Sequence, residues 1–209
     1  MKIQKFVNGK WKQNTYIVSN QNECIVIDPG GSFSDISDYI IVNNLKLLSI
    51  FNTHGHFDHI VEVQNLINKF NCLFYLHSKD EKLVKSANFY LSLFEGQSKI
   101  LIPENINYLD SLEKIQIGTF SIEILFTPGH TEGSVCFLIE NSLFSGDILF
   151  RTDIGRLDLP GSNKLKMKES LKKLAKLPEK ISIYPGHGGQ FKISEALIQN
   201  SSFIDNINE

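Results

Sequence analysis

The chain has no apolar run approaching the length of a membrane span, and its first residues, Met1-Lys2-Ile3-Gln4-Lys5-Phe6, lack the apolar stretch of a secretory leader. It has no surplus of positive charge either: a formal net charge of −2 and a pI near 6.3 leave no electrostatic footprint for nucleic acid or an anionic membrane. Cysteine is scarce. Cys24, Cys72 and Cys136 are three in number, widely spaced, each inside an apolar run such as Cys24-Ile25-Val26-Ile27, which speaks against a disulfide or thiolate metal ligands and predicts buried, reduced thiols. These absences predict a cytoplasmic protein that engages neither nucleic acid nor a membrane. At 209 residues the chain fits one domain with a substantial core.

Histidine, by contrast, is concentrated. The stretch Thr53-His54-Gly55-His56-Phe57-Asp58-His59 places three imidazoles and one carboxylate within six residues. Protonated neighbours would repel and buried ones would lose their water, so such crowding points to a bound cation. Other polar residues follow apolar runs in the same way. Phe126-Thr127-Pro128-Gly129 precedes His130, Phe144-Ser145-Gly146 precedes Asp147, and Tyr184-Pro185-Gly186 precedes His187. Each candidate ligand caps a predicted strand, with a glycine beside it that lets the backbone approach an ion closely. Five of the six histidines are used in this way, which leaves His77 as a structural hydrogen bonder.

The rest of the chain alternates strands and helices. Lys2 to Val7, Thr15 to Ser19 and Cys24 to Ile27 read as strands, the last two paired antiparallel through the turn Asn20-Gln21-Asn22. Ser32 and Asp35 have capping-box spacing ahead of a helix carrying Ile36, Tyr39 and Ile40. Leu47 to Asn52 is a strand, and Ile60, Val63, Ile67 and Phe70 mark one face of a second helix that begins near Asp58 and His59. The start of a helix favours the Asp58 carboxylate and a neutral His59, the form a cation requires. A strand from Cys72 to Leu76 leads into a helical pattern from Lys79 to Phe94, whose aromatic end, Phe89, Tyr90, Leu93 and Phe94, reads either as core or as a wall beside a substrate entrance. Further strands are predicted at Ile115 to Ile117, Ser121 to Phe126, Val135 to Ile139, Leu143 to Ser145 and Ile181 to Tyr184, with helices at Lys164 to Lys176 and Ser194 to Asn200. The lysines of the penultimate helix read as its solvated face. Strands then helix, twice over, predict an α/β chain with two sheets face to face and helices outside both.

The set His54-x-His56-x-Asp58-His59, His130, Asp147 and His187 resembles the metallo-β-lactamase superfamily of binuclear metallohydrolases. The resemblance runs in order from about Asn14 to His187 and implies a four-layer αββα sandwich with metals at one edge between the sheets. It implies that His54, His56 and His130 hold one metal, that Asp58, His59 and His187 hold a second, and that Asp147 bridges them. Asp28, in Asp28-Pro29-Gly30, would steady the metal loops; otherwise it is an ordinary turn residue. Ligands of nitrogen and carboxylate oxygen suit two divalent ions, zinc foremost, though iron or manganese accept the same donors. Two such ions acidify a shared water and polarise a carbonyl, which fits ester, lactone, lactam or thioester hydrolysis, with Asp58 aiming the nucleophile.

Thr127-Pro128-Gly129-His130-Thr131-Glu132-Gly133-Ser134, Ser145-Gly146-Asp147 and Gly155-Arg156 look like glyoxalase II and its short single-domain relatives, hydrolases of thioesters such as S-lactoylglutathione. In those enzymes a basic residue at the Arg156 position contacts the glutathione carboxylate; the competing role for Arg156 is a loop-bracing salt bridge with Asp153 or Asp158. The chain departs from full-length glyoxalase II by stopping soon after His187, without a carboxy-terminal helical domain, and by having Gly188-Gly189 where an aromatic residue is expected. The expected partner is therefore a small thioester, with a glutathione conjugate as one candidate. The same Gly-Arg segment occurs in persulfide dioxygenases, which carry one iron on two histidines and an aspartate, and that oxidoreductase is the alternative reading. A lactonase and a non-catalytic binding module follow behind, the latter because no ligand position is lost.

Overall fold

In a computed structural model that describes residues 1–96 and 99–208, the apolar runs become strands of two six-stranded sheets. The first half of the chain runs β1 (Lys2–Asn8), β2 (Gln13–Asn20), β3 (Glu23–Ile27), α1 (Phe33–Val42), β4 (Lys46–Phe51), α2 (Phe57–Ile60), α3 (Val63–Phe70), β5 (Leu73–Leu76), α4 (Glu81–Lys85), α5 (Ala87–Glu95) and β6 (Ile106–Tyr108). The second half runs β7 (Lys114–Ile117), β8 (Phe120–Phe126), β9 (Val135–Ile139), β10 (Ser142–Gly146), α6 (Lys164–Leu174), β11 (Ser182–Pro185), β12 (Phe191–Lys192), α7 (Ile193–Gln199) and α8 (Ser201–Asn208). Strands β1 to β6 lie in sequence order in one sheet and β7 to β12 in sequence order in the other.

The layering follows from the two-residue period of a strand. In β2, Ile17 faces one way while Tyr16 and Val18 face the other; in β3, Cys24 and Val26 oppose Ile25 and Ile27. Ile17 and Val26 join Ile36, Ile40 and Leu66 in a core between the first sheet and its helices. Tyr16, Ile25 and Phe51 instead meet Phe120, Phe137 and Phe144 of the second sheet, with the Phe51 ring edge-on to Phe137 at 5.3 Å. The far face of the second sheet packs Leu143 and Ile183 against Met167, Leu171 and Phe203 of the last helices. Three cores separate four layers, so the αββα sandwich holds. The inner strands are covered on both faces, hence their unbroken apolar runs. All three cysteines are buried and free, as predicted. No helix among the described residues is long and apolar enough to cross a membrane.

Several helices depart from the sequence reading. Ser32 takes a left-handed conformation, φ 58°, and makes no side-chain cap; its hydroxyl bonds the Asp35 carboxylate instead, so no capping box forms. The second helix breaks into α2 and α3 because tertiary partners take its ladder: Glu62 N–H donates to Pro29 O at 2.9 Å, and the His59 carbonyl accepts from Asn52 Nδ2 at 2.8 Å. The helix over Lys79 to Phe94 becomes a 3₁₀ turn, Ser78–Asp80, then α4 and α5 with a break at Ser86. The helix predicted over Ser194 to Asn200 ends where expected, as α7, but a further helix, α8, follows it. Asn200 itself is extended and donates from Nδ2 to Phe150 O and Asp153 O at 3.0 and 2.8 Å.

Candidate metal centre

Strands β3 and β4 are parallel, as are β10 and β11, and the loops that follow β3, β4, β8, β10 and β11 carry Asp28, His54 with His56, His130, Asp147 and His187 respectively. Main-chain bonds stitch the two sheets together at this edge: Val135 N–H donates to Thr53 O at 2.9 Å and Asn14 N–H to Gly186 O at 2.7 Å. The Tyr16 hydroxyl, buried between the sheets, donates to Pro185 O at 2.7 Å. Residues separated by most of the chain thereby share one pocket.

Three of the five histidines are oriented by an acceptor on Nδ1 and a fourth, His59, sets Nδ1 against a carboxylate, so that Nε2 of each points inward. His130 Nδ1 donates to Arg156 O at 3.0 Å and His187 Nδ1 to Trp11 O at 2.9 Å. His59 Nδ1 lies 3.1 Å from Asp28 Oδ2. Thr53 Oγ1 spends its proton on Asp28 Oδ2 at 2.6 Å, so it accepts from His54 Nδ1 at 3.0 Å. Asp28 also accepts from Thr53 N–H at 2.7 Å, and its φ of 51° turns the carboxylate under the loop. His56 is the exception: its Nδ1 faces His130 Nε2 at 2.9 Å.

The donor atoms gather into groups whose members lie within 4.8 Å of one another: His54, His56 and His130 in one, and Asp58, His59 and His187 in another. A third grouping, Asp28 with His54 and His59, has its carboxylate already engaged by Thr53. Asp147 sits between the first two, with Oδ2 3.7 Å from His130 Nε2 and 3.5 Å from His187 Nε2, and Oδ1 3.6 Å from His59 Nε2. All seven residues singled out in the sequence therefore converge.

The electrostatics divide the site. Burial and neighbouring imidazoles hold His54 well below the usual imidazole range, and burial with His130 takes His56 down to about 3, so both are neutral. On the other side burial opposes charge on His59 and His187, but Asp58 and Asp147 outweigh it and draw both upward, His187 to about 11. Asp147 is held well below the usual carboxylate range, because the attraction of His59 and His187 outweighs its burial. The two acids thus favour positive charge at the centre.

A metal pair fits these residues. His54 Nε2, His59 Nε2 and Asp147 Oδ1 are buried without a hydrogen-bond partner among the described residues, although buried polar atoms are nearly always paired. Gly186 also fits, since a Cβ there would collide with Asp147 Oδ1 and His59 Cε1.

The sequence reading missed Asp80, which is fully buried. Its carboxylate accepts from Gly55 N–H at 2.9 Å, Thr131 Oγ1 at 2.6 Å and Gly133 N–H at 2.8 Å, tying the loop of His54 and His56 to that of His130. Nothing local marks this acid, placed as it is in a helical pattern. His77 stands apart from the metal groups: its Nδ1 accepts from Lys79 N–H at 3.3 Å and its ring stacks on Phe126 at 4.5 Å. Arg156 lines the cleft above the centre, and of its two expected roles the salt bridge is formed, with Nε and Nη2 donating to Asp158 at 2.7 and 2.6 Å.

A sandwich of two sheets with a histidine- and aspartate-lined edge is that of a metallo-hydrolase. The family model of the Metallo-beta-lactamase superfamily matches residues 8–187, and the chain belongs to that superfamily. It is 32% identical over 203 residues to the probable metallo-hydrolase YqgX of Bacillus subtilis, covering 96% of each chain. To a probable metallo-hydrolase of Methanocaldococcus jannaschii it is 33% identical over 192 residues, covering 89% of this chain and 92% of the relative. Among solved structures, the BLEG-1 B3 metallo-beta-lactamase superposes with a TM-score of 0.91 at 31% identity over 97% of this chain and 99% of that one. TTHA1623 in a di-iron-bound form superposes with a TM-score of 0.86 at 30% identity, covering 95% and 98%.

Proposed function

We propose that the chain hydrolyses small thioesters with two divalent cations, one on His54, His56 and His130, the other on Asp58, His59 and His187, with Asp147 shared. The observation that carries this reading is the position of the Asp147 carboxylate, within 3.7 Å of imidazole nitrogens from both groups. Cations bound there supply a solvent nucleophile at neutral pH and a Lewis acid for the carbonyl oxygen. The chain's own residues do the rest. Asp58, whose Oδ2 lies 3.4 Å from His187 Nε2, presents a carboxylate to the cleft that can accept a proton from incoming solvent. Trp11, Phe57 and Phe94 keep the approach to it apolar. Zinc, iron and manganese all accept such donors, and the likeness to a di-iron-bound protein keeps iron in play. We place the hydrolase in the cytoplasm, a reading supported by its three free, buried thiols.

The test is metal content measured beside a panel of thioesters, lactones and a β-lactam. Two ions per chain and thioester turnover support the reading; one iron per chain with persulfide-dependent oxygen uptake replaces it with the oxidoreductase. His56→Ala and Asp147→Ala are each expected to abolish hydrolysis and leave the circular-dichroism spectrum unchanged. Normal turnover in either variant refutes the site.

A further inference from the structure

The cleft above the metal centre is walled by rings. Trp11 stands edge-on to both Phe57 and Phe94 at 6.1 Å, and Phe57 stacks on Phe94 at 6.0 Å. Tyr90 and Leu159 complete the wall of a cavity of about 140 Å³ whose floor is the metal centre. Phe94 is 41% exposed and Trp11 38%, far more than core packing requires. Helix geometry explains this: Ala87 and Leu91, four residues apart, turn into the core, while Tyr90 and Phe94, also four apart, turn to the cleft.

Charge in the cleft is sparse. Arg156 is the one lysine or arginine among its described lining residues, and Asp158 already holds its guanidinium at two points. A carboxylate on the carrier finds no other lysine or arginine among the described lining residues and must displace Asp158 to reach Arg156. The wall is also anchored to the chemistry: the Trp11 carbonyl accepts from His187 Nδ1 at 2.9 Å, and its indole Nε1 donates to Glu95 Oε1 at 2.5 Å. An apolar cavity of roughly 150 Å³ takes a benzene-sized group.

We propose that the cleft selects an uncharged apolar group of about six carbons, alkyl or aryl, carried beside the scissile bond, and gains nothing from carboxylates on the carrier. The bond cleaved rests on the thioesterase reading; the group recognised does not.

Trp11 is the one tryptophan of the chain, so its fluorescence reports the cleft directly. Metal-loaded protein is titrated with S-alkyl-N-acetylcysteamine thioethers from methyl to octyl, and with S-hexylglutathione. The dissociation constant is expected to fall about fourfold per methylene and to level off near hexyl. S-hexylglutathione is expected to bind no more tightly than its neutral counterpart, and Phe94→Ala, at an exposed position, to flatten the series. Affinity independent of chain length overturns the proposal. So does S-hexylglutathione binding tighter by about tenfold, with that gain lost in Arg156→Ala, and so does the absence of saturable binding by fluorescence and calorimetry. These thioethers are not hydrolysed. A chain-length series without thioester turnover therefore removes the thioesterase and keeps the cleft, and turnover with a flat series does the reverse.

Discussion

Replacing Asp80 with alanine is expected to loosen both loops that carry His54, His56 and His130. The carboxylate is completely buried and receives three hydrogen bonds, from Gly55 N–H, Thr131 Oγ1 and Gly133 N–H, all between 2.6 and 2.9 Å. Bonds to a charged group contribute about 1.5–3 kcal/mol each, but that sum overstates the balance. Burial pushes the Asp80 carboxyl above its ordinary value despite the three donors, so desolvation takes back much of what they return. What remains is the cost of stranding two buried N–H donors, about 1–3 kcal/mol each, since the Thr131 hydroxyl still has Ser134 Oγ at 2.7 Å. Asp80→Asn keeps the shape but sets an NH₂ against at least one N–H, at about 1–3 kcal/mol. Urea unfolding read at constant slope should therefore rank wild type, then asparagine, then alanine. Metal affinity should fall roughly 10–100-fold at the all-histidine group before the other is affected. An alanine variant within about 1 kcal/mol of wild type, or one that loses the other ion first, refutes the reasoning.

Thr53→Val keeps the shape but strands His54 Nδ1–H and removes a donor from Asp28, and is expected to weaken metal binding about 10–100-fold, while Thr53→Ser stays near wild type by metal competition. Burial pushes the Cys24, Cys72 and Cys136 thiols up to about 12, 11 and 12, so none should react with a disulfide reagent at pH 8 in the folded protein and all three should react in denaturant. Fast labelling of the native chain contradicts their placement. Stripping the ions with a chelator should lower the melting temperature by roughly 5–10 °C relative to protein held at about 100 times the dissociation constant, and re-addition should restore it.

The set of seven converging donors was readable from the chain because it is chemically rare and locally spaced, and because its members follow apolar runs that end in turns. The layering was readable for a related reason: alternate residues of a strand face opposite ways, so a run such as Tyr16-Ile17-Val18 declares two covered faces. The break between α2 and α3 was not, since it depends on partners far along the chain that compete with the local helical ladder, and neither was α8, which follows the predicted end at Asn200. Phe89, Tyr90, Leu93 and Phe94 had two readings, core or cleft wall; the rotation of α5 sends Tyr90 and Phe94 to the cleft and leaves Phe89 and Leu93, each 66% exposed, in neither.

By itself the sequence determined the identity of the donors, the reduced state of the thiols and the strands that deliver them, because these depend on residue chemistry and short-range period. Tertiary structure alone decided which nitrogen of each imidazole faces inward, that Asp80 clamps two ligand loops, and that Arg156 is spent on Asp158. Those are hydrogen bonds, and a hydrogen bond forms only within about 3 Å along a set direction. His187 and Trp11 lie 176 positions apart, and only the closed sandwich brings them together.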